Sequence, residues 1–438
     1  MTASTQHCEA IVLGGGISGL AAAQALQQQG RDFVLLERCP TLGGLTRTVE
    51  VGEFCFDYTG HFLHLCRYAT PEDIPYANLH NAEWEQIERR SCCFVAGKFV
   101  TAPIQYNLAQ LPPDLLHACV ESYDRRPNLA DQEDASFRNY MVSGFGQVLA
   151  DAFLIPQNEK TMAISLDRLS KHAVRRFFPA PNEELVRQGM STTQTSRASS
   201  YNSRFWYPKN GGIGKLVQGL RMGLDHCMLN QDVTAIDLNR KELKTATGRT
   251  LSWDELFCSI PLKTFCEMTA ESYLTAAAQE LSHSSTVSFN IGMRGSVPQE
   301  FSNIHWIYVP DRSVPFYRVG FYSNIGPGIC TPGHNALYVE VGLPSHEVNR
   351  VDLVNDLQPR VIRSLEELGW VRSSEITCVV VHVMRHAYVH HTPERDRVLS
   401  GVFARLKETS VFPIGRYGLW DYTSMEDSME SARAAVIG

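Results

Sequence analysis

Positive charge is not in excess in this chain: Lys and Arg number 40 against 47 Asp and Glu, a net charge of −7. That balance offers no basic face for nucleic acid or anionic lipid. No apolar run approaches the ~18 residues that a membrane-spanning helix requires. Residues Met1 to Glu9 are polar and lack the apolar core of a secretion signal. The expectation is a cytoplasmic protein without a membrane span. None of the 12 cysteines belongs to a C-x-x-C pair. At this length and spacing they read as reduced thiols, several of them inside apolar segments, such as Cys258 and Cys378. Internal repeats and low-complexity tracts are absent, as is any Ser-His-Asp or paired-carboxylate constellation. His382, His386, His390 and His391 follow a Val-rich strand. Residues four apart on a strand lie ~13 Å apart, too far to share one ion, so no metal is expected.

What is present begins at residue 10. Ala10 to Leu13 reads as a buried strand, and Gly14-Gly15-Gly16-Ile17-Ser18-Gly19 follows directly. Leu20 to Gln29 reads as an Ala-rich helix closed by Gly30, and Phe33 to Leu36 as a second strand ending at Glu37. This is G-x-G-x-x-G in its βαβ setting. Gly14 permits the tight turn, Gly16 lets backbone approach a pyrophosphate, and Gly19 lets helix pack on strand. The helix N-terminus offers N–H donors to phosphate, and Glu37 can accept from ribose hydroxyls. Glu37-Arg38 then leads into Thr41-Leu42-Gly43-Gly44-Leu45. A second glycine pair after the ribose-binding acid points to FAD and to the glutathione-reductase type of fold.

The 438 residues leave room for about two or three domains. Strands are predicted over 232–238, 255–260, 287–291, 305–309, 336–341 and 377–383, and a terminal helix within 399–432. Gln147 to Ile155 reads as a helix that Pro156 ends. The fold class is therefore α/β: a Rossmann-like FAD-binding domain with an inserted helical and antiparallel-sheet substrate domain. Its segments are 1–70, 205–265 and 395–438 for the cofactor, 71–204 as a largely helical insertion, and 266–394 as a mainly β substrate part. Ser191 to Ser203, rich in Ser and Thr, reads as a mobile loop. Asn210-Gly211-Gly212-Ile213-Gly214-Lys215-Leu216 is not a P-loop, because Leu216 replaces the required Ser or Thr and the glycine spacing differs.

Several further segments carry a family resemblance. Phe56-Asp57-Tyr58-Thr59-Gly60-His61-Phe62 resembles the segment after the FAD motif in UDP-galactopyranose mutases, with Thr59 in place of a glycine. Pro156-Gln157-Asn158-Glu159-Lys160 resembles their Pro-Tyr-Asn-x-Lys, and Tyr207-Pro208 with Gly211-Gly212 their Tyr-Pro-x-x-Gly-Gly. His305-Trp306-Ile307-Tyr308-Val309-Pro310 and Pro315-Phe316-Tyr317-Arg318 are similar to a Trp-x-Tyr-Phe-Pro…Pro-Phe-Tyr-Arg of eukaryotic members. Gly415-Arg416-Tyr417, Trp420-Asp421-Tyr422 and Met425 complete the match. Protoporphyrinogen oxidases and amine oxidases share the FAD motifs.

The resemblance implies ring-size isomerisation of a nucleotide sugar, with reduced flavin as the nucleophile and the protein binding and orienting. It implies cofactor contacts at Gly14, Gly16, Ser18, Gly19, Glu37, Arg38, Gly43, Gly44, Leu45, Gly60, His61, Gly415, Arg416, Tyr422 and Met425. Gly60 is expected to let backbone lie against the flavin ring. It implies substrate contacts at Gln105, Asn158, Arg176, Tyr308, Arg318 and Tyr422, with Arg318 the main cation for a diphosphate. His61 and Arg318 are the catalytic candidates. Met162 and Ala102 stand where eukaryotic mutases carry aromatic residues. The alternatives are an FAD-dependent oxidase or desaturase and a non-catalytic flavoprotein. No second dinucleotide motif accounts for an external flavin reductant. The sequence leaves the sugar, the base and the oligomeric state open.

Overall fold

The computed structural model describes residues 5–80, 82–128, 135–173, 178, 180–193 and 203–438. The N-terminal unit forms as its pattern dictates. Strand β1 (Gln6–Leu13) buries its inner half, Ala10 to Leu13, almost completely. Helix α1 (Ile17–Gln28) follows, with Gly16 as its N-cap and no side chain capping its first turn. Strand β2 (Phe33–Leu36) is wholly buried. An apolar run buried on both faces is what a parallel central strand needs.

β1 lies parallel between β2 and the strand Thr250–Cys258. Cys227–Met228 extends the sheet beyond β2, while Glu242–Thr245 and Val233–Asp237 continue it antiparallel on the other side. Val411–Pro413 returns from far along the chain to pair, in parallel, with the end of Thr250–Cys258. The helix Met425–Ile437 buries Met429, Ala432 and Val436 in the same core as Leu20, Ala21 and Ala25 of α1.

A second seven-stranded sheet runs Ile376–Met384, Ser284–Arg294, His334–Pro344, Arg318–Phe321, Trp306–Tyr308, Ser91–Val95, Lys98–Thr101. All its neighbours are antiparallel except Trp306–Tyr308 with Ser91–Val95. The stretch 71–204, expected to be largely helical, therefore opens with strands, including Trp84–Glu88, which pairs with Arg204–Pro208. Alternating burial along Ser91–Val95 suits a sheet face rather than a helix stripe.

Among the described residues the remainder of that segment is mainly helical, and one helix departs from expectation. Pro156 does not end the helix begun at Gln147. Gln147–Leu149 passes through a π-helical stretch, Ala150–Leu154, into Ile155–Met162, with Pro156 in the first turn of that last segment. The wider turn re-registers the backbone, so the proline's missing N–H falls where a new helical segment starts and is tolerated. No helix among the described residues is long and apolar enough to cross a membrane. The stretch 194–202, most of the predicted mobile loop, lies outside the described residues.

Candidate functional site

One cavity of about 740 Å³ runs from the glycine turn after β1 to the second sheet. At its first end lie Gly14, Gly16, Ser18, Glu37 and Arg38. The Glu37 carboxylate is buried and oriented by the chain: Gly15 N–H donates to Oε2 at 2.7 Å and Cys39 N–H to Oε1 at 2.8 Å. Each oxygen keeps lone-pair capacity for a ligand hydroxyl. A Cβ built on Gly16 would meet nothing within 4 Å. The open space thus lies directly over the uncapped N-terminus of α1, where an anion is favoured. This cradle fits a dinucleotide pyrophosphate.

Gly19 and Gly415 do not line the cavity, and their places show why they are glycines. A Cβ on Gly19 would stand 1.8 Å from the Gly14 carbonyl oxygen, so Gly19 permits α1 to pack on the turn. Gly415, at φ +69°, would bring a Cβ to 2.1 Å from Ser18 Oγ. Gly19 acts on the cofactor cradle through the Gly14 backbone and Gly415 through the Ser18 side chain.

The middle of the cavity is formed by Gly43, Gly44, Leu45, Gly60, His61, Arg416 and Met425. For Gly60 the structure supplies a second reason beside the expected flavin contact. A Cβ there would fall 2.3 Å from Tyr338 Oη, so a protein ring already demands glycine. Burial pushes the His61 imidazole down to about 4, against the raising influence of Glu340. His61 is therefore neutral at pH 7 and can act as donor or acceptor but not as a cation.

Gln105, Asn158, Tyr308, Arg318 and Tyr422 all line the far end. Asn158 Nδ2 donates to the Leu154 carbonyl at 2.7 Å, which leaves its Oδ1 as the free end of the amide. Arg416 lies under Tyr422, with the guanidinium carbon 4.3 Å from the ring centroid, and donates to the Ala387 carbonyl at 2.9 Å. Arg176 lies outside the described residues.

Arg318, expected as the main cation for a diphosphate, is paired within the protein. Its Nε donates to Glu340 Oε2 and its Nη2 to Glu340 Oε1, the latter at 2.8 Å. The pair sits directly across the strand register, Arg318 opposite Glu340, with the Glu340 side chain only 2 % exposed. Thr59 Oγ1 donates to the same carboxylate. Sequence reasoning missed Glu340, although a signal existed: a lone acid within Leu337-Tyr338-Val339-Glu340-Val341. It also missed Gln157, Tyr317 and Tyr388, which line the same end. Gln157 Nε2 donates to the Tyr317 carbonyl at 3.0 Å.

Six histidines are pushed down by burial: His61, His64, His382 and His390 to about 4, His386 to about 3, and His283 in the same direction. In the unfolded chain these groups titrate near ~6.5. Between those values the unfolded state binds more protons, so their contribution is intact above pH ~6.5 and is lost as pH falls. Asp57 runs the other way: burial raises it to about 6, so its contribution is full below ~3.8 and lost as pH rises through 6. Six groups outweigh one. The urea midpoint is expected to fall steadily from pH 7 to pH 4.5; a flat or rising profile would contradict these environments.

The fold and this cradle define a Rossmann-like dinucleotide-binding protein whose cofactor cavity is walled by a second, mostly antiparallel sheet. Residues 12–71 match the family model of the NAD(P)-binding Rossmann-like domain. Across nearly its whole length the chain has the fold of UDP-galactopyranose mutases and flavin-dependent oxidases. A structure of reduced UDP-galactopyranose mutase superposes with a TM-score of 0.90 at 23% identity, covering 98% of this chain and 93% of that one. A protein from Exiguobacterium sp. 255-15 assigned as a protoporphyrinogen oxidase gives 0.76 at 18% identity, covering 99% and 98%. Cyclohexylamine oxidase from Brevibacterium oxydans IH-35A gives 0.65 at 14%, covering 98% and 99%.

Proposed function

We propose that the chain is an FAD-dependent enzyme that interconverts the pyranose and furanose rings of a nucleotide sugar. The α1 N-terminus, Gly14 and Gly16 would hold the pyrophosphate of FAD, Glu37 its ribose, and Gly43, Gly44 and Leu45 would pass close to its body. Bound in reduced form, FAD supplies the nucleophile for exchange at the anomeric carbon. The chain's own groups bind and orient. Arg318 and the Tyr308 and Tyr422 hydroxyls would meet the diphosphate, and Gln105 and Asn158 the nucleoside. His61, neutral and beside the cofactor, would hydrogen-bond the sugar.

The observation that carries this reading is the lining of the far end. Arg318 stands there among Tyr308, Tyr317, Tyr388, Tyr422, Gln105, Gln157 and Asn158. Such a lining offers donors and acceptors to a polyhydroxylated, phosphorylated ligand, whereas an apolar amine gains little from it. A second reading, hydride removal from an amine-like or cyclic substrate by oxidised FAD, is favoured by one feature: the Arg318–Glu340 pair carries no net charge.

Purified protein, dithionite-reduced or oxidised, should be given UDP-galactofuranose and the products separated by chromatography. UDP-galactopyranose is expected from the reduced sample alone. No product from either, together with hydrogen peroxide release from an amine panel, would move the assignment to an oxidase. An external reductant is required by the mutase reading.

A further inference from the structure

Glu340 is a carboxylate with almost no capacity left. Its two oxygens offer about four lone-pair sites, and Arg318 Nε, Arg318 Nη2 and Thr59 Oγ1 already donate to them. It is buried in the cavity wall. A group so saturated is poorly placed to bind substrate. It is well placed to fix its partners.

The geometry of the pair says what is fixed. A guanidinium has two bidentate edges, the Nε/Nη2 side and the Nη1/Nη2 end. Glu340 consumes the first. The end edge remains, and Arg318 lines the cavity. A flexible cation is thereby converted into a rigid fork with one direction of approach. Thr59 adds a link along the wall: it precedes Gly60 and His61 in the turn beside the cofactor cradle, and it stands where the resembling segment carries a glycine.

We propose that Glu340, itself held by Thr59, is the positioning residue for Arg318, and that it presents the Nη1/Nη2 edge of Arg318 to the phosphate oxygens of a nucleoside diphosphate. This rests on the nucleotide-sugar reading. The carboxylate contributes orientation rather than contact, and the cost in net charge is accepted for a bidentate geometry.

The test uses full-length, FAD-loaded, oxidised protein and UDP as probe, with affinity measured by calorimetry beside the thermal midpoint. Wild type should bind UDP. Glu340→Gln keeps the volume but breaks one arm of the fork, and should weaken UDP at least about tenfold. Thr59→Val should weaken it severalfold and Thr59→Ser should restore it. A merely structural role would lower the thermal midpoint and leave the affinity of the folded protein unchanged. Glu340→Gln and Thr59→Val proteins that stay folded and bind UDP as wild type does, or more tightly, would overturn the positioning role. No UDP binding by wild type would overturn the nucleotide reading and this inference with it. The two failures are thus read from different samples.

Discussion

Gly19→Ala protein is expected to purify nearly free of flavin. The substitution adds one methyl group, yet that group would lie 1.8 Å from the Gly14 carbonyl oxygen and 3.0 Å from its carbon. Both are backbone atoms of the turn that shapes the cradle, so no side chain can swing aside. Either α1 lifts from β1, or the Gly14 turn deforms. Overpacking of this kind costs about 1–3 kcal/mol, at times more. The cost falls where the pyrophosphate would be held. The N–H groups at the start of α1 and the Glu37 carboxylate must face the ligand together, because Gly15 N–H itself holds Glu37 Oε2. A displacement near 1 Å breaks that coincidence. The flavin-to-protein absorbance ratio of the purified variant checks it, with a drop of about tenfold or more expected. A normal ratio would mean that the helix can shift without consequence.

The second large effect concerns stability rather than the cofactor. Asp57→Ala is expected to lower unfolding free energy by about 3–5 kcal/mol, since each buried group left unsatisfied costs about 1–3 kcal/mol. Asp57 is fully buried. Its Oδ2 accepts from Tyr207 Oη at 2.6 Å, and its Oδ1 from Thr48 Oγ1 at 2.5 Å and Ile213 N–H at 3.0 Å. Its own carbonyl accepts from Asn290 Nδ2 at 2.6 Å, which the mutation leaves in place. Removing the carboxylate strands a phenol and a backbone amide in the interior. Thr48 Oγ1 still accepts from Gly214 N–H at 2.8 Å, and Thr48 is only partly buried, so water can take its freed hydroxyl proton, which keeps the loss below three full penalties. Urea unfolding of the two proteins at pH 7 measures the difference. A change under about 1 kcal/mol, the size of an ordinary net hydrogen bond, would show that water enters and satisfies the stranded groups.

The parts of this molecule legible in its sequence are those encoded by spacing within a few residues. Gly14, Gly16, Gly19 and Glu37 are read from one turn and the strand that follows it, and the structure brings three of them to the cavity with Gly19 behind them. The resemblance located Arg318, Tyr308 and Tyr422 at the far end, which the cavity joins to His61. What stayed hidden depends on register. Nothing near Arg318 announces Glu340, because their contact is made across two strands and 22 residues. The sequence therefore offered Arg318 as a cation for a diphosphate without naming its partner. Pro156 misled for another reason: a rule about regular α-helix does not foresee a π turn that makes room for the ring. Of the strands within 84–101, Trp84–Glu88 was lost because its partner, Arg204–Pro208, lies far along the chain, whereas Ser91–Val95 and Lys98–Thr101 form a local hairpin about Ala96-Gly97 that sequence reasoning passed over.

The return of Val411–Pro413 to the edge of Thr250–Cys258 governs how the protein comes into being. Gly415 must slot against Ser18, and Arg416, Tyr422 and Met425 must reach the cavity, yet all are made after some 400 preceding residues. A nascent chain on the ribosome, growing at about 5–20 residues per second, therefore holds the glycine turn for tens of seconds before its lid of C-terminal residues exists. Loading with cofactor therefore waits until Arg416, Tyr422 and Met425 have been made. Any cut that removes the segment after Leu406 takes Arg416, Tyr422 and Met425 from the cavity while leaving the glycine turn in place.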